Sequence, residues 1–424
     1  MRGRHGTPER AFATDWNNVG PRVGFAYQLT QSGHTVLRGG TGVFYGPTVS
    51  NTIGDTAALG FSTSASFVVS QAITESAFRL RDGFPAYARP ELTAAFGAVP
   101  IGTRPNTAVS FFDPHQVAPT SYQVNVDLQH ELSRGTVIEV GYIGNSSRHL
   151  TANDFSLDQV PTALMGPGDT QALRPFPQFS NVSLINPSIG KSSYHGAFIR
   201  VEKRLSDGFS VLAHYTKSRF MDDVESANEY GSTGSYMDQY HRQLDWARSA
   251  TDVPDHFVLT AMYEVPAFGR GAVGAILGGW RFSALETLQS GPPFTVITAA
   301  NTTNAFPSGA LRPNLAGNLE LPSSERTLSH WFNTAAFVNP ANFTFGNAPR
   351  SVLRGPGLAT LDATVEKTIA LGGGMKFDVR AEAYNVLNRA NFNIPGFTLG
   401  AADFGVISSA RPARTIQLGA RVSF

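Results

Sequence analysis

The sequence predicts an all-β fold: an antiparallel transmembrane β-barrel with long loops on one side. Three observations predict it. Apolar and polar residues alternate with period two over segments of about 9–13 residues, longer than the roughly 5–6 usual in soluble sheets. Short and long connections alternate between those segments, as they do in barrels that cross a bilayer. The final segment alternates up to an aromatic last residue, Phe424.

Eleven strands are expected, near 22–29, 34–44, 119–131, 135–143, 193–205, 208–219, 255–265, 280–290, 358–370, 374–387 and 414–424. In the third, Tyr122, Val124, Val126 and Leu128 oppose Gln123, Asn125, Asp127 and Gln129. In the sixth, Phe209, Val211, Ala213 and Tyr215 share a face, and in the seventh Phe257, Leu259, Ala261, Tyr263 and Val265 do. In the ninth, Leu361, Ala363, Val365 and Ile369 oppose Asp362, Thr364, Glu366 and Thr368. In the tenth, Phe377, Val379, Ala381 and Ala383 oppose Lys376, Asp378, Arg380 and Glu382. The last sets Ile416, Leu418, Ala420 and Val422 against Thr415, Gln417, Gly419 and Arg421.

Alternation alone fits a soluble sandwich equally well, with its apolar face turned inward. The connections separate the two readings. Thr30–Gly33, Leu132–Arg134, Ser206–Asp207, Pro266–Gly279 and Leu371–Gly373 are short, while 45–118, 144–192, 220–254, 291–357 and 388–413 are long. A sandwich has no reason for this order. A barrel with short periplasmic turns and long outer loops does. Structureless loops of that length also argue against a compact soluble domain. A short helix is expected at Glu75–Asp82.

Composition removes other classes. The chain has 424 residues, 33 basic and 32 acidic side chains and a net charge of +1, too balanced to attract nucleic acid. Zero cysteine excludes a disulfide scaffold, a Cys-ligated metal and a thiol nucleophile. The most helix-like apolar run is Ala272 to Trp280, far short of the about 20 residues a spanning helix needs. Basic residues at Met1–His5 are followed by no apolar stretch, so no signal peptide is expected here.

Gln417, Gly419, Val422 and Phe424 follow a polar, glycine, apolar, aromatic pattern. It looks like the signal that the barrel-assembly machinery reads on a closing strand, an edge that pairs before closure removes it. On the polar faces, Glu366, Arg380 and Glu382 are candidates to face the lumen. The loop between the sixth and seventh strands is acidic. Asp222, Asp223, Glu225, Glu229, Asp238, Asp245, Asp252 and Asp255 stand against Arg242 and Arg248. A solvated extracellular loop is the expectation, with an oxygen-ligand calcium site as the alternative. His241 and Asp245 have helical spacing, and Asp255 precedes His256, but no hydrolase or phosphate-loop motif accompanies them. No enzyme activity, cofactor or metal is expected. Gly39, Gly40 and Gly42 lie mid-strand and are read as a bend or bulge. Tyr142, Tyr263, Trp280 and Phe282 near strand ends fit either an interfacial aromatic girdle or loop packing.

A set of short stretches carries a resemblance. They are Asn18–Tyr27, Leu37–Tyr45, Val137–Leu150, Pro175–Asn181, Tyr215–Asp223, Leu285–Phe294, Trp331–Phe337, Leu353–Pro356 and Ala381–Phe392. In this order they resemble the C-terminal barrel portion of Oar-like TonB-dependent transporters, whose chains carry a carboxypeptidase-regulatory-like domain and a plug before the barrel. The resemblance implies residues 1–424 are about half of a 22-stranded barrel in the Gram-negative cell outer membrane, lacking plug and signal peptide. It implies TonB-dependent uptake of a bulky glycan- or peptide-derived substrate. The implied partners are outer-membrane lipid, the barrel-assembly machinery, an unknown extracellular substrate, and the TonB complex through the missing N-terminal region. Two other readings stand beside it: a surface or secretion-related barrel without active uptake, and a soluble lectin or propeller. Eleven strands alone, with two open edges, are expected to aggregate.

Overall fold

A computed structural model describes residues 13–47, 79–83, 108–224, 235–266, 272–307, 309–322 and 324–424. Among these, eleven long antiparallel strands form one sheet. They are β1 (Arg22–Gln28), β2 (Thr35–Tyr45), β3 (Thr120–Ser133), β4 (Thr136–Thr151), β5 (Ser188–Ser206), β6 (Phe209–Asp222), β7 (Asp255–Glu264), β8 (Trp280–Gln289), β9 (Leu358–Gly372), β10 (Met375–Tyr384) and β11 (Thr415–Ser423). Each pairs with its neighbour in sequence, and β1 and β11 form the edges. A short helix, α1 (Ala272–Leu277), occupies the turn between β7 and β8. No helix of the described residues is long and apolar enough to cross a membrane.

The connections explain this simple order. At Ser206–Phe209 the turn places Asp207 and Gly208 at φ +52° and +74°. Positive φ at both central residues matches the right-handed twist of the flanking strands. Gly373 and Gly374 do the same between β9 and β10, at φ +60° and +87°.

Two strands run well beyond the ends the sequence indicated. β4 continues to Thr151 and β5 begins at Ser188. Asn145 to Arg148 pair with Tyr194 to Lys191. Both faces of that extension are polar, so the period-two signal vanishes although the backbone ladder continues. β10 ends earlier than expected. Asn385 and Asn388 both take φ +51°, and the Asn385 side chain bonds both ways with the Arg389 backbone, turning the chain despite the apolar Val386 and Leu387.

The bulge expected at the β2 glycines is absent. β2 pairs with β1 and β3 with no register shift. An aromatic ring covers Gly39 instead, where a Cβ would lie 2.7 Å from the Phe25 ring, and on β4 a Cβ at Gly141 would lie 2.6 Å from the Phe198 ring. The missing side chains make room for rings borrowed from the next strand. The expected helix at Glu75–Asp82 is a single 3-10 turn at Leu80–Asp82, its first residues lying outside the described set.

The register aligns one apolar face across the whole sheet. Phe25, Leu37, Leu128, Val140, Ile199, Tyr215, Phe257, Leu288, Val365, Val379 and Leu418 share it. These side chains are exposed or only half-buried. Among the described residues, every buried apolar residue lies outside the eleven strands, with the core centred at Phe294, Val296, Phe332, Phe337 and Leu353. A soluble sandwich buries the apolar face of its strands. This sheet turns that face outward and places its packed core in the loops.

Glycine makes the loop core possible at one crossing. A Cβ on Gly291 would lie 1.8 Å from the Gly355 carbonyl oxygen, a backbone atom that cannot step aside. Gly291→Val is expected to separate the Pro293–Phe294 and Leu353–Arg354 pairing and destabilise the loop core by about 1–3 kcal/mol or more. Hydrogen exchange of the Phe294 and Leu353 amides measures it.

Candidate functional site

The polar face carries charges in transverse rows. Glu264, Arg281, Glu366 and Arg380 are successive register partners on β7 to β10. Arg281 reaches Glu264 at 2.7 Å and Glu366 at 3.6 Å, and Arg380 reaches Glu382 at 3.3 Å. On the other half, Arg200 bridges Glu139 at 3.3 Å and Glu202 at 2.5 Å. Opposite charges thus alternate along the wall, so the face is polar yet locally neutral. Glu366, Arg380 and Glu382 all project from this face. Gln417 and Gly419 share it, opposite Glu382 and Arg380, while Val422 sits on the apolar face opposite Phe377. The Phe424 side chain is fully exposed.

Farther from the short turns, the wall between β3 and β6 has an uncharged stretch. A recess of about 410 Å³ is lined by Gln123, Asn125, Asn145, Ser192, Tyr194 and Phe220, among others. Asn145 Oδ1 accepts from Ser121 at 2.9 Å and from Ser147 at 3.0 Å. Both its lone pairs are used, which fixes the amide and leaves its NH₂ as a donor. Tyr194 and Phe220 meet edge-on with centroids 6.1 Å apart.

At the long-loop rim, described parts of the β4–β5, β6–β7 and β8–β9 connections pack into a cap. Three arginines of the β8–β9 loop reach acids of the β6–β7 segment: Arg312 to Asp245, Arg350 to Asp222, and Arg354 to Asp252. Arg174 pairs with Asp158 at 3.0 Å within the β4–β5 loop, and Gln159 bonds Asp238 at 2.8 Å across to the next loop. Five acids of the segment are therefore not solvated. Asp222, Asp223, Asp238, Asp245 and Asp252 are all buried. Buried carboxylates persist only when compensated, and Arg242 and Arg248 alone were too few. The missing cations come from positions 312, 350 and 354, which no local pattern ties to the acids. That charge shortfall was the one sequence signal for them. Glu225 lies outside the described residues. His241 pairs with Asp238 at 2.6 Å rather than with Asp245. Among the described residues no cluster of His, Asp and Glu has the grouping a metal needs.

Burial is the main force raising the Asp158 and Asp223 carboxyls above the usual carboxylate range. The folded cap therefore holds these protons more tightly than the unfolded chain. Their contribution to stability falls as pH rises from about 4 through the raised values. Asp223→Asn keeps an acceptor for the Lys191 N–H, now at 2.7 Å. It is expected to make the cap more protease-resistant at pH 7 and to shrink the difference between pH 5 and pH 7. An unchanged difference would place the effect on other groups.

An outward apolar face, a charge-laddered inner face and a loop cap at one rim define an integral membrane β-barrel. Residues 1–417 match the family described as "Outer membrane beta barrel domain", and the chain belongs to that family. Its place is the outer membrane of a Gram-negative bacterium. No curated protein matches it in sequence. Among solved structures it is similar to the outer membrane transporter YddB from Escherichia coli, at 11% identity and TM-score 0.49, covering 95% of this chain and 40% of that one. It is also similar to the ferripyoverdine receptor of the outer membrane of Pseudomonas aeruginosa (9%, TM-score 0.42, 95% and 32%). A third is the ferric citrate transporter FecA (12%, TM-score 0.43, 95% and 38%). The chain spans two fifths or less of the length of these proteins.

Proposed function

We propose that this chain is the barrel portion of an Oar-like TonB-dependent transporter that takes up a bulky glycan- or peptide-derived substrate. The supporting observation is that three of the resembling stretches meet in one loop core and a fourth is tied to it. Gly291 to Phe294, Trp331 to Phe337 and Leu353 to Gly355 build the loop core, and Asp222, at the end of the Tyr215–Asp223 stretch, is gripped from it by Arg350. A stapled cap and an uncharged, amide- and aromatic-lined recess suit capture of a neutral, hydroxyl- or amide-rich molecule.

In this reading the cap captures the substrate, a plug supplied by the rest of the protein rearranges under TonB, and the substrate passes along the polar wall. Glu366, Arg380 and Glu382 contact the plug. The test is uptake of a fluorescent maltoheptaose and a fluorescent nonapeptide by cells with and without the complete gene. Gene-dependent uptake that stops without TonB supports the reading. Surface binding that persists after the proton gradient collapses, with no uptake of either probe, would replace it with a surface or secretion-related barrel. Reversing both charges at Arg380 and Glu382 is expected to lower uptake, and unchanged uptake would remove the plug contact.

A further inference from the structure

We propose that α1 is a membrane-interface anchor whose apolar side inserts among the acyl chains of the periplasmic leaflet. The argument needs only membership in the outer-membrane barrel family and is independent of transport.

The first observation is the helix itself. Val273, Ile276 and Leu277 have i, i+3, i+4 spacing, which puts them on one side. Their exposures are 58%, 66% and 50%. Three large aliphatic side chains on a six-residue helix have no reason to face water.

The second is where the helix is tied. Trp280 Nε1 donates to the Ile276 carbonyl at 2.8 Å, and Lys367 Nζ donates to the same oxygen at 3.1 Å and to the Gly278 carbonyl. Trp280 and Lys367 are register partners on β8 and β9. Both lie on the apolar face, in line with Phe282, Val365 and Val379. The C-terminal end of α1 is therefore fastened to the lipid side of the wall, not to the lumen side. Its aliphatic triad continues the outward apolar band at the rim where turns are short, which in this family is the periplasmic rim.

The third is the chemistry of the tie. Lys367 is a cation on a face that otherwise reads Leu361, Ala363, Val365 and Ile369. A charge on the lipid side costs about 2–4 kcal/mol at mid-bilayer and little near the interface. Lys367 is buried, its ammonium lies 5.0 Å from the centre of the Trp280 ring, and it caps carbonyls at the helix C-terminus, where a cation is favoured. Trp280 in turn stacks on Phe282 at 6.3 Å. Indole, capped ammonium and aliphatic triad are the components of an interfacial anchor.

The occupant is thus lipid, and residues 1–424 carry no cysteine of their own to compete for the label. Ile276→Cys in the full-length protein in its outer membrane is labelled with a nitroxide, with Leu418→Cys as a lipid-face control and Thr364→Cys as a lumen-face control. Collision with oxygen and with a water-soluble nickel chelate is then read by electron paramagnetic resonance. Oxygen collision exceeding chelate collision several-fold, as at Leu418→Cys, is the expected result. Free chelate collision, as at Thr364→Cys, would put the helix in water and overturn the proposal. A strongly immobilised label that neither reagent reaches would mean that protein covers the triad, and would overturn it too. Val273→Cys repeats the reading should Ile276→Cys reduce assembly.

Discussion

Replacing Arg350 by alanine is expected to release the cap from the barrel wall at a cost of about 3–5 kcal/mol. Arg350 donates to the Asp222 carboxylate and to the Asp222 carbonyl at 2.5 Å, and its Nε donates to the Asp245 carbonyl at 2.9 Å. Its side chain is 1% exposed and that of Asp222 7%. Alanine leaves a buried carboxylate without its cation and two carbonyls without donors, and each loss carries a desolvation cost. The change is local, because Asp222 is the last residue of β6. Hydrogen exchange should show lost protection in the segment from Phe294 to Leu353 while β3 to β6 remain protected. A second variant separates charge from packing. Asp222→Asn combined with Arg350→Met removes both charges at similar volume and should recover part of the loss. A single-variant loss under about 1 kcal/mol would mean that the cap stands on its aromatic core alone.

This cap marks the boundary of what the sequence reveals. The barrel strands are legible because their two environments, lipid and lumen, differ sharply and alternate with every residue. Their ends blur where the environments become alike. Asn145 to Arg148 sit on a ladder with polar groups on both faces, so nothing in their order distinguishes strand from loop. Asn385 shows the reverse, a turn hidden inside an apolar run. The lumen candidates Glu366, Arg380 and Glu382 could be placed on a face by parity, because parity survives any uncertainty in strand ends. The cap could not be placed. Its contacts join residues about 60 to 130 positions apart, such as Arg312 with Asp245 and Arg350 with Asp222. Loops without periodicity give no rule for pairing them. The wall recess escaped for the same reason, since Gln123, Asn145 and Tyr194 become neighbours only through the register of three strands.

The same parity supports the second large effect. Val126→Arg is expected to cost about 2–4 kcal/mol of barrel stability in a bilayer, while Asn125→Arg is expected to cost less than about 0.5 kcal/mol. The two positions are adjacent on β3 and differ only in the face they present. Val126 lies midway along the strand with Gly39 and Tyr142 as partners, and is 40% exposed. A residue that open tolerates arginine when water surrounds it, because the guanidinium stays solvated and little packing is lost. The cost arises only when hydrocarbon occupies the space outside Val126. Asn125 faces the polar wall, where an arginine head finds water and the neighbouring Asp127. Urea unfolding of full-length protein refolded into lipid vesicles measures both. At about 1.4 kcal/mol per decade, the expected penalty is a loss of one and a half to three decades in the folding constant. Equal and small costs at both positions would mean that both faces of β3 meet water, and the lipid assignment of the apolar face would fall. A large cost at Asn125 and none at Val126 would reverse the two faces, and with them the side of the wall on which α1 is tied.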